Sequence, residues 1–402
     1  MNLEITTQVM LWGGGLAFIL GAVANKTNFC TMGAVSDWVN MGDTGRMRAW
    51  FLAVAVAIIG VSLFEVMSVL DTSTSRVPYR SSVFFWPRYL LGGVMFGVGM
   101  TLASGCGNKN LIRIGGGNLK SIFVVLVAGA MAYVMTRTDF YGVVFHSWML
   151  PISPNLAAIN IPDQSIGSLV GALVGAESPA SLNLYFGLGL SILLLVVIFR
   201  SKDFRTSLDL VMGGLVVGLV VLGGWYITGG PMGVAWMEAV EFMDTPPPST
   251  GTQSYTFINP MGEALTYLAS PGKFSLITFG VAALFGVILG SFTYALVSRS
   301  FRIEWFVNLS DFIRHMIGAV LMGIGGVLAM GCTIGQGVTG VSTLAVGSFM
   351  AMGAIILGSA LTMKVQYYKL VYEEEASFSK ALLTGLVDLK LLPESLRKLE
   401  AV

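Results

Sequence analysis

The sequence predicts an all-α integral membrane protein: about nine transmembrane helices in two pseudo-symmetric halves, with broken or re-entrant helices meeting at a central pore. Three observations predict it. Of 402 residues, 54% are hydrophobic, 11% are charged and the mean hydropathy is +0.77. A soluble domain carries about a quarter charged residues, and no soluble fold of this size covers its surface with so few, which excludes a soluble enzyme, a nucleic-acid binder and a disordered scaffold. Nine apolar stretches approach the roughly 20 residues of a bilayer crossing, a length that selects helices over a barrel. Finally, one block of sequence occurs twice.

In chain order the apolar stretches are 10–24, 49–70, 88–104, 119–135, 182–199, 208–224, 274–297, 314–330 and 342–363. The first, preceded by Glu4 and lacking a basic flank, is expected to stay as a helix rather than be cleaved as a signal peptide. The first and third are short, about 15 to 17 residues, and read as half-helices or re-entrant segments. Arg200, Lys202 and Arg205 lie between two regions, 138–199 and 206–272, that hold no Lys or Arg. By the positive-inside rule that basic turn is cytoplasmic and both flanking regions reach the outside. Arg299, Arg302 and Arg314 mark a later cytoplasmic return, whereas Arg46, Arg48, Arg76, Arg80 and Arg88 bracket the second helix at both ends and leave the N-terminal half unoriented.

The duplication has one fixed offset. Arg88 and Gly92 match Arg314 and Gly318, Gly97 and Gly99 match Gly323 and Gly325, and Gly105-Cys106 matches Gly331-Cys332. The organisation that follows is a single membrane domain over 1–363, with repeat 1 at about 10–137, an external insertion at 138–181 and repeat 2 at about 208–363. An amphipathic tail, 364–402, carries a helix expected around 391–397. The proline-bearing stretches 138–181 and 244–272 read as external connectors and caps. Gly92, Gly93, Gly97, Gly99, Gly318, Gly323, Gly325 and Gly326 are expected to let helices approach closely.

All three cysteines fall at breaks in apolar helices. Cys30 lies in Asn28-Phe29-Cys30-Thr31-Met32-Gly33, Cys106 in Gly105-Cys106-Gly107-Asn108-Lys109, and Cys332 in Gly331-Cys332-Thr333-Ile334-Gly335-Gln336. A helix interrupted inside a membrane exposes N–H groups that protein, water or a ligand must satisfy. With the helix dipole they favour an anion. Thiols add weak, polarisable donors and acceptors, which suits a soft sulfur-containing anion better than a strongly hydrated one. A lone Cys in an apolar helix is usually a small hydrophobe; three at three breaks, two of them repeat-related, point to a lined path. The pathway residues expected are therefore Cys30, Cys106, Cys332, Asn28, Asn108, Lys109, Thr333 and Gln336, with Lys26, Lys109 and Arg113 supplying positive potential.

Other positions read less sharply. Glu65 is an ionisable group inside an apolar stretch. Asp209 reads as a cap or interfacial residue, and His146 and His315 as surface or interface residues without ligand spacing. The segment 225–233 breaks its helix where the Cys30 segment breaks the first, making it a candidate fourth wall of the site.

These motifs resemble the YeeE/YedE sulfur-transport family, over most of residues 10–363. The resemblance implies a bacterial inner-membrane protein that takes up thiosulfate, with Cys30, Cys106 and Cys332 as the functional cysteines. It implies passage of the anion by S–H hydrogen bonding without stable covalent chemistry, and a small cytoplasmic sulfur-carrier protein of the TusA type as partner. No cofactor, metal or nucleic acid is expected, and no phosphate-binding loop for ATP is present. The alternatives on the same residues are a membrane thiol or persulfide relay enzyme, transport of a related sulfur or selenium species, and a soft-metal permease.

Overall fold

The computed structural model describes residues 2–175, 179–243, 246–373 and 375–400. Parts of both expected external stretches, 176–178 and 244–245, lie outside the described residues. The first repeat consists of α1 (Asn2–Lys26), α2 (Thr31–Ser36), α3 (Gly45–Val66), α4 (Trp86–Leu102), α5 (Gly107–Gly115) and α6 (Leu119–Arg137). Then α7 (Ile166–Val174) and α8 (Pro179–Phe199) lead to the second: α9 (Leu208–Gly229), α10 (Pro231–Glu241), α11 (Ile258–Ala269), α12 (Phe279–Val297), α13 (Leu309–Leu328), a π-helical turn (Gly335–Gly340) and α14 (Val346–Val371). The tail helix is α15 (Phe378–Asp388). Among the described residues, nine helical spans are long and apolar enough to cross a membrane.

Of the two short stretches expected as half-helices, one differs from the structure. Helix α1 runs for 25 residues, because the polar stretch before Met10 continues the helix; it is a full span, not a half-helix. Helix α4, by contrast, stops after 17 residues and resumes as the nine-residue α5. In the tail, α14 continues to Val371, past the expected boundary at 363. The tail helix ends at Asp388, upstream of 391–397, where only a 3-10 turn (Glu394–Leu396) forms after Pro393. The helix stops because Lys390 adopts the left-handed region (φ 58°) and Leu391 N donates back to Leu386 O at 2.9 Å, the long bond of a Schellman stop. Asp388 ties this tail to α14: it accepts from Tyr368 at 2.7 Å and pairs with Arg397 at 2.8 Å and Lys364 at 3.4 Å. Burial opposes its ionisation, but these partners outweigh burial and hold the carboxyl below its ordinary range.

The repeats are inverted. The repeat-related helices α4 and α13 cross antiparallel, so the axis relating them lies across the helices, in the membrane plane. A methyl group placed on Gly92 would sit 2.5 Å from Ala329 N, and one on Gly99 would sit 2.6 Å from Gly318 O. Early residues of one helix thus meet late residues of the other, backbone to backbone. Any side chain there would force the helices apart, which is why small residues hold the crossing. The equivalent helices α1 and α9 also run antiparallel, with Leu16 against Gly223 and Lys26 paired to Asp209 at 3.9 Å. The remaining packing obeys the same symmetry: α1 lies on α12 as α9 lies on α3, and α4 lies on α14 as α13 lies on α6. The span α8, present once, makes five spans before α9 and so allows the second repeat to enter from the other side.

Candidate functional site

The three breaks are one local device used three times. Each cysteine follows, by two residues, a non-glycine residue in the left-handed region: Asn28 (φ 52°), Ser104 (φ 56°) and Met330 (φ 58°). At the two repeat-related breaks the closing bonds are the same. Gly105 N donates to Met100 O at 2.8 Å, and Gly331 N donates to Gly326 O at 2.8 Å, the long bond of a Schellman stop. The chain then extends for the cysteine and starts a new half-helix. Cys30 caps α2, accepting from Gly33 N at 3.4 Å, and Cys332 accepts from Gly335 N at 3.4 Å. Cys106 caps α5 through its backbone, and its thiol faces the Lys109 amide, again three residues on. Sulfur is a weak acceptor, so these helix starts are capped only weakly.

The fold brings these ends together. The Cys106 thiol lies within electrostatic reach of both Cys30 and Cys332 and faces the Thr333 hydroxyl. All three cysteines are free, and their exposure falls from 8% at Cys30 to 2% at Cys106 and 0% at Cys332. The Cys30 end opens to a basic mouth. Lys109 lies within reach of Cys30, Cys106, Arg113 and Arg46, and its Nζ donates to Asn28 Oδ1 at 3.4 Å. Arg46, held by both carboxylate oxygens of Asp37, also faces Cys30. Asn108, in the first turn of α5, is buried, and its Oδ1 has no partner among the described residues. Thr333 Oγ1 is likewise unpartnered. Gln336 donates from Nε2 to Ala329 O and leaves Oε1 unpartnered.

The Cys332 end is sealed by segments distant in sequence. Residues 251–258, expected as part of an external cap, are a largely buried strip, irregular up to Phe257 and entering α11 at Ile258. Its side chains serve helix carbonyls: Ser254 Oγ donates to Val221 O at 2.7 Å and Tyr255 OH to Gly13 O at 2.7 Å. Its backbone also binds, Gln253 N donating to Thr228 Oγ1 at 2.9 Å. With those polar groups paired inside the protein, burial costs little. Thr256 and the Phe257 amide from this strip face the Cys332 thiol, as does Tyr79 from the α3–α4 connection. The expected insertion also does more than cap: Val346 N donates to Gln164 O at 3.0 Å and Ile166 N to Leu344 O at 3.0 Å, fixing the end of the Cys332 half-helix. Its repeat-related counterpart is Leu119 N donating to Glu304 O at 3.0 Å, which fixes the end of α5.

Glu65 is a holder rather than a pathway group. It pairs with Arg80 at 2.8 Å, and Arg80 Nε donates to Thr343 O at 2.8 Å, pinning the α3–α4 connection over the sealed end. In the 225–233 wall, Trp225 Nε1 donates to Ser342 Oγ at 3.2 Å and its ring packs edge-on to Tyr79, so it backs the site without a thiol. His315 is buried, not a surface residue: its Nδ1 lies 3.1 Å from an Asp311 carboxylate oxygen, one turn earlier on α13. Sequence reasoning missed Tyr79, Thr256 and Arg46 as neighbours of the thiols. Each arrives by long-range packing, and none carries a local motif. Among the described residues no three His, Cys, Asp or Glu side chains stand close enough to hold a metal.

Comparison with known proteins agrees with this architecture. The thiosulfate transporter TsuA of Spirochaeta thermophila is 24% identical over 380 residues, covering 87% of this chain and 97% of that protein. The Escherichia coli thiosulfate transporter TsuA is 23% identical over 367 residues, covering 85% of this chain and 90% of the relative. A family profile described as sulphur transport matches residues 26–361, and the chain therefore belongs to this family of multi-pass membrane transporters.

Proposed function

We propose that this protein imports thiosulfate, or a closely similar small sulfur anion, across a bacterial inner membrane. The anion passes from Cys332 to Cys106 to Cys30 by transient S–H hydrogen bonds. The observation that carries this reading is three buried free thiols, each at a weakly capped half-helix start, with Cys106 within electrostatic reach of both others and Lys109 beside Cys30 and Cys106. Each station offers a neutral, weak donor beside helix N–H groups. That combination holds an anion without trapping it, as multi-site conduction requires. The relatives' names as thiosulfate transporters support the choice of anion.

Orientation follows from charge. Lys26, Arg46 and Arg48 sit with the Arg200–Arg205 turn: Arg48 Nη1 donates to Ile198 O at 3.2 Å beside it, and Lys26 pairs with Asp209 just after it. The positive-inside rule makes this end cytoplasmic and orients the N-terminal half that sequence alone left open. The basic mouth then faces the cytoplasm, where a small TusA-like carrier would receive the anion.

The test is uptake of labelled thiosulfate by cells expressing Cys30→Ala, Cys106→Ala and Cys332→Ala, with membrane levels checked. We expect Cys106→Ala to lose the most, since it bridges the other two stations, and Cys106→Ser, which keeps a donor, to retain part of the rate. Normal uptake in all three alanine variants would overturn the proposal. Accumulation of a persulfide on any cysteine during turnover would replace it with covalent relay.

A further inference from the structure

The sealed end holds polar atoms that the thiol path does not use. Tyr79 OH, Ser348 Oγ and Gln336 Oε1 are all buried and have no hydrogen-bond partner among the described residues. Their side chains all pack around Gly340. A methyl group on Gly340 would sit 2.5 Å from Ser348 Oγ, 2.7 Å from Gln336 Oε1 and 2.9 Å from the Tyr79 ring. The Gln336 amide cannot turn away from this spot, because its Nε2 is committed to Ala329 O. Tyr79 also lies within electrostatic reach of Cys332, and its burial raises its pKa, keeping the phenol protonated and thus a donor.

Each buried polar atom left unpaired costs roughly 1–3 kcal/mol, and native interiors contain few of them. Three on side chains around one glycine, supplied by three separate elements, argue for a guest. Two of the three are rotatable hydroxyls able to donate. The third is a fixed acceptor, which a bridging water can satisfy.

We propose that Tyr79 and Ser348, with Gln336 acting through a water, form an oxygen-binding station for a tetrahedral sulfur oxyanion beside Cys332. This station takes the oxygens of the anion while the Cys332 thiol takes its terminal sulfur, so entry is selected by oxyanion shape and onward passage by sulfur. The proposal rests on the transport reading above and adds the specificity-determining residues of its outer end.

Tyr79→Phe and Ser348→Ala test it, because each removes a hydroxyl with no hydrogen-bond partner among the described residues. Thermal stability of the purified variants is therefore expected to be unchanged. Uptake of labelled thiosulfate is expected to fall about tenfold for Tyr79→Phe, the worth of a hydrogen bond to a charged group, and less for Ser348→Ala. Excess sulfate, which offers oxygens but no terminal sulfur, should inhibit the wild type weakly and Tyr79→Phe still less. Wild-type uptake with Tyr79→Phe and Ser348→Ala unimpaired, and Cys106→Ala inactive, would overturn this station and leave the thiol path standing. A melting temperature lowered in Tyr79→Phe would assign its hydroxyl a structural role and also overturn it. Absence of thiosulfate uptake by the wild type would instead defeat the underlying transport reading.

Discussion

The breaks at Cys106 and Cys332 descend from one duplicated block, yet they end in different surroundings. Both follow a glycine-spaced helix, a left-handed residue and a Schellman bond of 2.8 Å. From Cys106, α5 leads toward the basic mouth with Lys109 and Arg113 on it. From Cys332, the half-helix is π-helical and wholly buried. It is walled by Tyr79, Thr256 and Gln164, which come from the α3–α4 connection, the 251–258 strip and the 138–181 segment. The duplication thus supplies the scaffold and the stations, while the segments outside it supply the difference between the ends. The segments outside the duplication cover the Cys332 end and leave the Cys30 end beside Lys109 and Arg46.

The largest expected effect concerns the closed end. Arg80→Ala would leave Glu65 buried without its cation, a change that costs about 3–5 kcal/mol. It should lower the melting temperature of the detergent-solubilised protein markedly, and Glu65→Gln combined with Arg80→Gln should recover much of the loss. A double variant as unstable as Arg80→Ala would show that Arg80 acts by something other than this pair.

The shared scaffold predicts a symmetric effect. Gly99→Ala and Gly318→Ala place a methyl group within 2.6 Å and 2.7 Å of backbone across the same helix crossing. Each should destabilise by roughly 1–3 kcal/mol, the cost of overpacking, and the two melting temperatures should fall alike. Unequal losses would mean that the crossing is not shared evenly by the repeats.

At the open end, Lys109→Ala removes a charge and the exposed hydrogen bond to Asn28 Oδ1. Uptake should drop severalfold, its dependence on ionic strength should weaken, and stability should hold. A change in stability with no change in salt dependence would contradict a steering role.

The smallest effect is that of the tail. The Asp388 carboxyl titrates below its ordinary range in the folded protein. Its contribution is therefore complete above the ordinary value near 4 and is lost as pH falls through the lower folded value. Limited proteolysis of the tail should be the same at pH 6 and 8 and faster only in the acid range. Asp388→Asn should abolish that acid-side change.

Much of this was legible in the residues, for physical reasons that also mark the limit. Composition and apolar length give the nine spans, because a bilayer imposes both. The breaks at Cys30, Cys106 and Cys332 are visible because each joins polar turn residues to apolar helix, and the glycines of α4 and α13 announce their crossing. The inversion of the repeats is invisible in hydropathy, which reads the same in both directions; it emerges only from which residues of α4 meet which of α13. Tyr79, Ser348 and Thr256 lie in stretches with no motif and acquire meaning from long-range packing against Cys332 and Gly340. The polar strip 251–258 reads as loop because nothing local shows that helix ends will consume its hydrogen bonds.

The central claim, one thiol path open at the cytoplasmic mouth and sealed at the other end, is most directly tested by alkylation. Single-cysteine variants would be treated with a membrane-impermeant maleimide in right-side-out and inside-out vesicles, with and without thiosulfate. The account predicts labelling of Cys30 from the cytoplasmic side only, slower labelling of Cys106 from that side, protection of Cys332 from both, and slowing of the first two by thiosulfate. Labelling of Cys332 faster than Cys30, or of Cys30 from the outer side, would contradict it.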